Sequence, residues 1–213
     1  MRINPGLSKH PHRYNSRPPE YDGEAARTAR EWLISQVAAP PRRVLTAPGN
    51  EGYCARLFRS VWPDAEMIGI DHVESIVASS ALADPGRPLD QYYHADLYVL
   101  ANARRPGVKF VLPGNRYNET NVIRRIGSDP FDYGRFDLAF LDFGCSLRST
   151  ALKHLPDFVA ARMNPGGLVA LTVVAKPSED VTASILKMGL TVREVYRYQT
   201  RTPMAIITIE AAE

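Results

Sequence analysis

The residues of this 213-residue chain with the clearest chemical use stand at the ends of short apolar runs. The first run leads through Arg43-Val44-Leu45-Thr46-Ala47 into Pro48-Gly49-Asn50-Glu51-Gly52, and a helical pattern follows at once. A tight strand-to-helix turn with glycines lets backbone amides approach a ligand closely, and a helix N-terminus favours an anionic group there. The second run ends in Ile68-Gly69-Ile70-Asp71, an acid placed to accept hydrogen bonds from a ribose diol. A glycine turn alone also serves ordinary α/β packing; turn and distal acid in this order point to a nucleotide-like ligand. A further acid, Asp142, ends the run at 138–141. There it acts as a general base, orients a nucleophile, or only caps the next turn.

These positions need elements to hold them. Apolar runs at 44–47, 67–70, 108–112, 138–141 and 168–174 alternate with helical stretches, the signature of a parallel sheet covered on both faces. A helix is expected over 22–37, capped by Asp22, with Ala25, Ala29, Trp32, Leu33 and Val37 on one face and Pro40 and Pro41 beyond its end. Further helical faces fall at Cys54, Leu57, Phe58 and Val61, and at Val73, Ile76 and Val77. Pro156 divides the stretch 147–163 in two, and the segment 84–106 reads as an extra helix inserted before the third strand. After a helix over 178–188 ended by Gly189, strands at 190–198 and 205–210 are joined by a polar link too short for a helix. They are expected to pair antiparallel as a hairpin.

Apolar residues make up 45% of the chain and charged residues 23%, a profile that excludes wholesale disorder and collagen-like repeats. No apolar run approaches the roughly 20 residues of a membrane-spanning helix, and the opening residues lack the apolar core of a secretory signal. Two cysteines, Cys54 and Cys145, cannot build a disulfide framework; reduced thiols and a cytoplasmic setting are expected. Residues 1–21 form an arm rich in proline and basic side chains, among them Arg2, Lys9, Arg13 and Arg17. It is a strap over the main domain, 22–213, or a loose terminus, or else a lid over a site or an arm that meets phosphates of a nucleic acid. The net charge of +3 permits such a partner without requiring it. Oligomeric state is left open.

Six motifs in order resemble those of the class I S-adenosylmethionine-dependent methyltransferases. VLTAPGNEG resembles the family's cofactor loop, IGID its ribose-binding acid, and VKFVLPGN its adenine-side strand. FDLAFLDF resembles the strand ending at the catalytic pocket, NPGGLVALTV the strand after it, and the terminal hairpin the last two strands. The resemblance covers about residues 22–213. It implies an α/β, Rossmann-like three-layer sandwich whose seven-stranded, mostly parallel sheet closes with an antiparallel hairpin. A nicotinamide-binding fold would share the first two motifs and lack the hairpin. The implied cofactor is S-adenosylmethionine, held by Thr46, Ala47, Pro48, Gly49, Gly52, Asp71, His72, Asn115, Asp142 and Phe143. The implied reaction is methyl transfer to an oxygen or nitrogen nucleophile of RNA, DNA or a small molecule.

The chain departs from the family in the cofactor loop. An acid is usual at the position of Thr46, and glycines at those of Pro48 and Asn50. The lost contacts are either rebuilt, for instance by the Thr46 hydroxyl, or absent, which would make the chain an inactive binding or structural module. Three residues are candidates for catalysis on the resemblance: Asp142, Cys145 and Lys176. Leu141-Asp142-Phe143-Gly144-Cys145-Ser146 is similar to a segment of RNA cytosine-5 methyltransferases, although their second, attacking cysteine has no counterpart here. Asp142, Lys176 and Glu194 resemble part of the Lys-Asp-Lys-Glu set of ribose 2′-O-methyltransferases, with Lys176 out of register. The catechol type needs acidic magnesium ligands where Ala175-Lys176-Pro177 stands, so no metal is expected.

Overall fold

A computed structural model of the chain describes residues 23–47, 53–71, 89–94, 97–102, 109–112, 122–125 and 134–212. The elements in chain order are α1 (Gly23–Gln36), β1 (Arg43–Ala47), α2 (Tyr53–Val61), β2 (Glu66–Asp71), β3 (Gln91–His94), α3 (Leu97–Asn102), β4 (Lys109–Leu112) and β5 (Val122–Arg125). There follow β6 (Phe136–Ser146), α4 (Leu155–Arg162), β7 (Met163–Val174), α5 (Val181–Leu186), β8 (Thr191–Gln199) and β9 (Pro203–Glu210).

The main sheet runs in the order β3-β2-β1-β6-β7-β9-β8. Its first five members are parallel; β9 is antiparallel to β7, and β8 to β9. Of the seven strands expected from sequence, six lie in this sheet and the third does not. Residues 109–112 pair antiparallel with Val122–Arg125 in a separate ribbon, and the edge beside β2 is taken by Gln91–His94. The segment 84–106 therefore carries an edge strand followed by α3, where an inserted helix was expected. Gln91-Tyr92-Tyr93-His94 has no aliphatic run to announce it. Its entry is fixed by Asp90, whose backbone amide donates to the Met67 carbonyl at 2.8 Å while its carboxylate accepts from Met67 N at 2.7 Å and from Arg59 at 2.6 Å. Backbone pairing to a buried neighbour makes this strand, and β-propensity of the tyrosines suffices for the rest.

Alternation along each strand sends side chains to two helical layers. Leu45, Ile68, Ala139, Leu141, Val169, Leu171 and Ile207 pack with Leu97 and Leu100 of α3, Leu155 and Phe158 of α4 and Ile185 of α5. Val44, Met67, Leu138, Phe140, Ala170 and Ile206 pack with Ala29 and Leu33 of α1 and Phe58 of α2. Each large side chain taken fully from water contributes about 1.5–3 kcal/mol. The buried stripe of α1 is Ala26, Ala29, Arg30 and Leu33, at the i, i+3, i+4, i+7 spacing of an amphipathic helix. It is turned slightly from the expected face, leaving Trp32 and Val37 half-buried. On α2 the buried residues are Ala55 and Phe58, continued by Trp62, while Val61 is exposed.

Local chemistry fixes the strand entries. The Asp137 carboxylate accepts from the backbone amides of Arg42 and Arg43 and from the Asn164 side chain, stapling β1, β6 and β7 at one end. Gly167 sits where an added Cβ would lie 2.8 Å from the Asn164 carbonyl oxygen and 3.1 Å from that of Phe136. Pro156 occupies the first turn of α4, where backbone amides have no intrahelical partner and its missing one costs no helical hydrogen bond. Asp180 caps α5 through Ala183 N at 2.9 Å. Among the described residues no helix is long and apolar enough to cross a membrane.

Candidate functional site

In an open parallel sheet, ligands bind outside the carboxyl ends of the strands. Here that edge carries the ends of β1 at Ala47, β2 at Asp71 and β3 at His94, with Asp71 and His94 in register. On β6, a bulge between Asp142 and Cys145 shifts the pairing with β7, and Gly144 within it has φ of 54°. Bulges of this kind re-aim a strand end and occur often beside active sites. Asp142 is the last residue before the bulge.

Register puts Asp142, Thr172, Ile206 and Tyr196 in one row across β6, β7, β9 and β8. The α1 side of this row holds an uncommon feature, the guanidinium of Arg30, whose side chain is only 6% exposed. Its Nη2 donates to Asp142 Oδ2 at 3.1 Å, its Nη1 to the Ala26 carbonyl at 3.1 Å, and its Nε to Cys54 Sγ at 3.2 Å. The guanidinium carbon also lies 5.8 Å from the centre of the Phe140 ring. Next to Asp142 in the row, Thr172 is buried and its hydroxyl has no hydrogen-bond partner among the described residues. Sequence patterning missed Arg30, because a charged residue on a helix is usually solvated; its spacing from Ala26 and Leu33 was the available signal.

The residues singled out from sequence fare differently. Thr46 is buried and its hydroxyl donates to the Ile68 carbonyl at 3.4 Å. Ala47 is packed in the core. Asp71 is placed through its backbone at the end of β2. Phe143 is half-buried against the core. The arm 1–21, the capping Asp22, the loop residues Pro48, Gly49 and Gly52, His72 with the helical face after it, and Asn115 lie outside the described residues.

Burial pushes the Cys145 thiol above its usual range, outweighing the opposing hydrogen bonds from the Ser149 side chain and its own backbone. That is the reverse of what an attacking thiolate needs. The Lys176 side chain is exposed; the residue's backbone donates to Glu179 and accepts from Arg197. Glu194 lies exposed on β8 at the level of Phe140, across three strand spacings, which is roughly 14 Å. The set Asp142, Lys176 and Glu194 is therefore not assembled around one point. A groove of about 380 Å³ opens at the opposite edge, lined by Arg135, Met163, Pro165, Leu190 and Glu210 among others, and no candidate residue lines it.

No protein-family model and no curated protein matches the sequence. Solved structures similar to it in fold include several methyltransferases. The chain is 12% identical to the putative methyltransferase solved with the Trm112 activator of Haloferax volcanii, covering 100% of this chain and 98% of that one at a TM-score of 0.63. It is 14% identical to the 1,6-didemethyltoxoflavin-N1-methyltransferase of Burkholderia thailandensis, solved with its acceptor and S-adenosylhomocysteine, over 100% and 92% of the two chains at 0.59. TrmN of Thermus thermophilus is 17% identical at a TM-score of 0.54; 85% of this chain is covered, and it spans about half (48%) of TrmN.

Proposed function

We propose that this protein is an S-adenosylmethionine-dependent methyltransferase that modifies an oxygen or nitrogen nucleophile. The observation carrying this reading is the sheet order β3-β2-β1-β6-β7-β9-β8, with Asp71 at the carboxyl end of β2 and Asp142 before the β6 bulge on the same edge. Asp71 would hold the ribose diol, and the turn 48–52 would present backbone amides to the amino-acid end of the cofactor. With Gln91–His94 as the third strand, the acid that follows it and suits the adenine amino group is Asp96, in place of Asn115. The Thr172 hydroxyl beside Asp142, without a partner among the described residues, supports a polar ligand at this edge, since an orphaned buried hydroxyl is costly unless something satisfies it.

The cofactor, when bound, supplies a methyl carbon activated by its sulfonium. The protein's part is alignment. Asp142 would accept a hydrogen bond from the acceptor's N–H or O–H, orient that atom's lone pair and take up its proton, while the cofactor, giving up its methyl group by cleavage of the carbon–sulfur bond, would leave as S-adenosylhomocysteine. Arg30 balances the carboxylate charge. Neither Cys145, a protonated thiol, nor the exposed Lys176 is needed for this step.

The basic arm supports a nucleic-acid acceptor, and the small-molecule enzyme from Burkholderia supports the alternative. Two unbridged cysteines suit a cytoplasmic setting. Isothermal titration with S-adenosylmethionine and S-adenosylhomocysteine tests the reading. Micromolar binding that Asp71→Ala abolishes is expected; no heat at millimolar ligand would overturn it.

A further inference from the structure

We propose that Arg30 is a positioning residue for methyl transfer, holding the acceptor-side carboxylate and the helix after the cofactor loop as one unit. The inference rests on the methyltransferase reading and deepens it. Three nitrogens of one guanidinium serve three elements: Nε binds Cys54 in the first turn of α2, Nη1 the Ala26 carbonyl of α1, and Nη2 the Asp142 carboxylate of β6. A helical side chain leans towards its own N-terminus, which carries the guanidinium back over the Ala26 turn and against both neighbours. The planar fork fixes the angles between those bonds. Burial of the side chain, 6% exposed, removes the water that would otherwise loosen them.

The consequence is mechanical. Cys54 is the second residue of the helix, Tyr53–Val61, that follows Gly52, the last residue of the glycine turn. Asp142 stands where the acceptor is aligned. Through Arg30 the cofactor side and the acceptor side share a single rigid contact, built from a helix that belongs to neither. Motion of the first turn of α2 is then transmitted to the carboxylate across one side chain.

The experiment compares S-adenosylhomocysteine affinity by titration with the thermal midpoint for wild type, Arg30→Lys, Arg30→Met and the double variant Arg30→Met/Asp142→Asn. Lysine keeps the charge beside Asp142 but has one point donor group in place of a three-way fork. Arg30→Lys is expected to keep a midpoint close to wild type while binding the ligand about tenfold more weakly. Arg30→Met lowers both. The double variant, with no carboxylate left to neutralise, recovers most of the midpoint and none of the affinity. Affinity that simply follows the midpoint through the series, or Arg30→Lys binding as wild type, overturns the inference alone. Failure of the wild-type protein to bind S-adenosylhomocysteine overturns the methyltransferase reading and this inference with it.

Discussion

Trp32 of α1 stacks on Tyr196 of β8, with ring centroids 5.0 Å apart and planes inclined by 26°. Tyr198 continues the ladder at 6.3 Å from Tyr196. The stack fastens the first described helix to the far edge of the sheet, on the layer where Arg30 meets Asp142. It thus holds the helix that the candidate site depends on.

Removing either ring should loosen that helix. Trp32→Ala and Tyr196→Ala are each expected to cost about 2 kcal/mol, and the double variant about 1 kcal/mol less than their sum. Urea unfolding of the four proteins gives the coupling directly. Strict additivity would mean that the rings do not interact energetically.

Thr172→Val replaces a buried hydroxyl that lacks a partner among the described residues with a methyl group of similar shape. The folded protein is expected to gain about 1 kcal/mol. If the hydroxyl serves the ligand, S-adenosylhomocysteine affinity falls in the same variant; equal affinity would mark it as a core irregularity only.

Gly167→Ala introduces a Cβ 2.8 Å from one backbone carbonyl oxygen and 3.1 Å from another. Neither oxygen belongs to a flexible side chain, so the turn into β7 must shift. A loss of about 2–3 kcal/mol in unfolding free energy is expected. A variant as stable as wild type would show that the turn yields freely.

Cys145 gives a pH signature. Burial raises its pKa in the folded chain, so the native state keeps a proton that the unfolded chain has already released. Stability is untouched below the ordinary thiol range and falls as pH rises through the window up to the raised value. Cys145→Ser should flatten that alkaline decline in thermal midpoint, and in Cys54→Ala protein the remaining thiol should react slowly with thiol reagents at neutral pH. Rapid modification there would point to an activated thiolate.

What could be read from sequence follows from where each signal is stored. β1, β2, β6 and β7 contain aliphatic runs because both their faces are covered, and the β8–β9 hairpin follows from a link too short to hold a helix. β3 was hidden. Its residues Gln91-Tyr92-Tyr93-His94 become a strand by pairing with β2, a fact held in the neighbour and not in the segment. The run at 108–112 looked more sheet-like and pairs instead in its own ribbon. At the site, Asp142 stood out as an acid closing an apolar run. Arg30 did not, since its burial is decided by a carboxylate 112 residues further along the chain.

The order of the last two strands bears on how the molecule is made. β9 comes after β8 in the chain but lies between β7 and β8 in the sheet. Until Pro203–Glu210 has left the ribosome, β8 has no sheet partner, and Val169, Leu171 and Val173 of β7 lack the neighbours Ile209, Ile207 and Ala205. Assembly therefore cannot finish progressively from the N-terminal side. The interior is sealed by the strand synthesised last of the seven, and a nascent chain stopped before it would expose a wide apolar surface to chaperones and proteases.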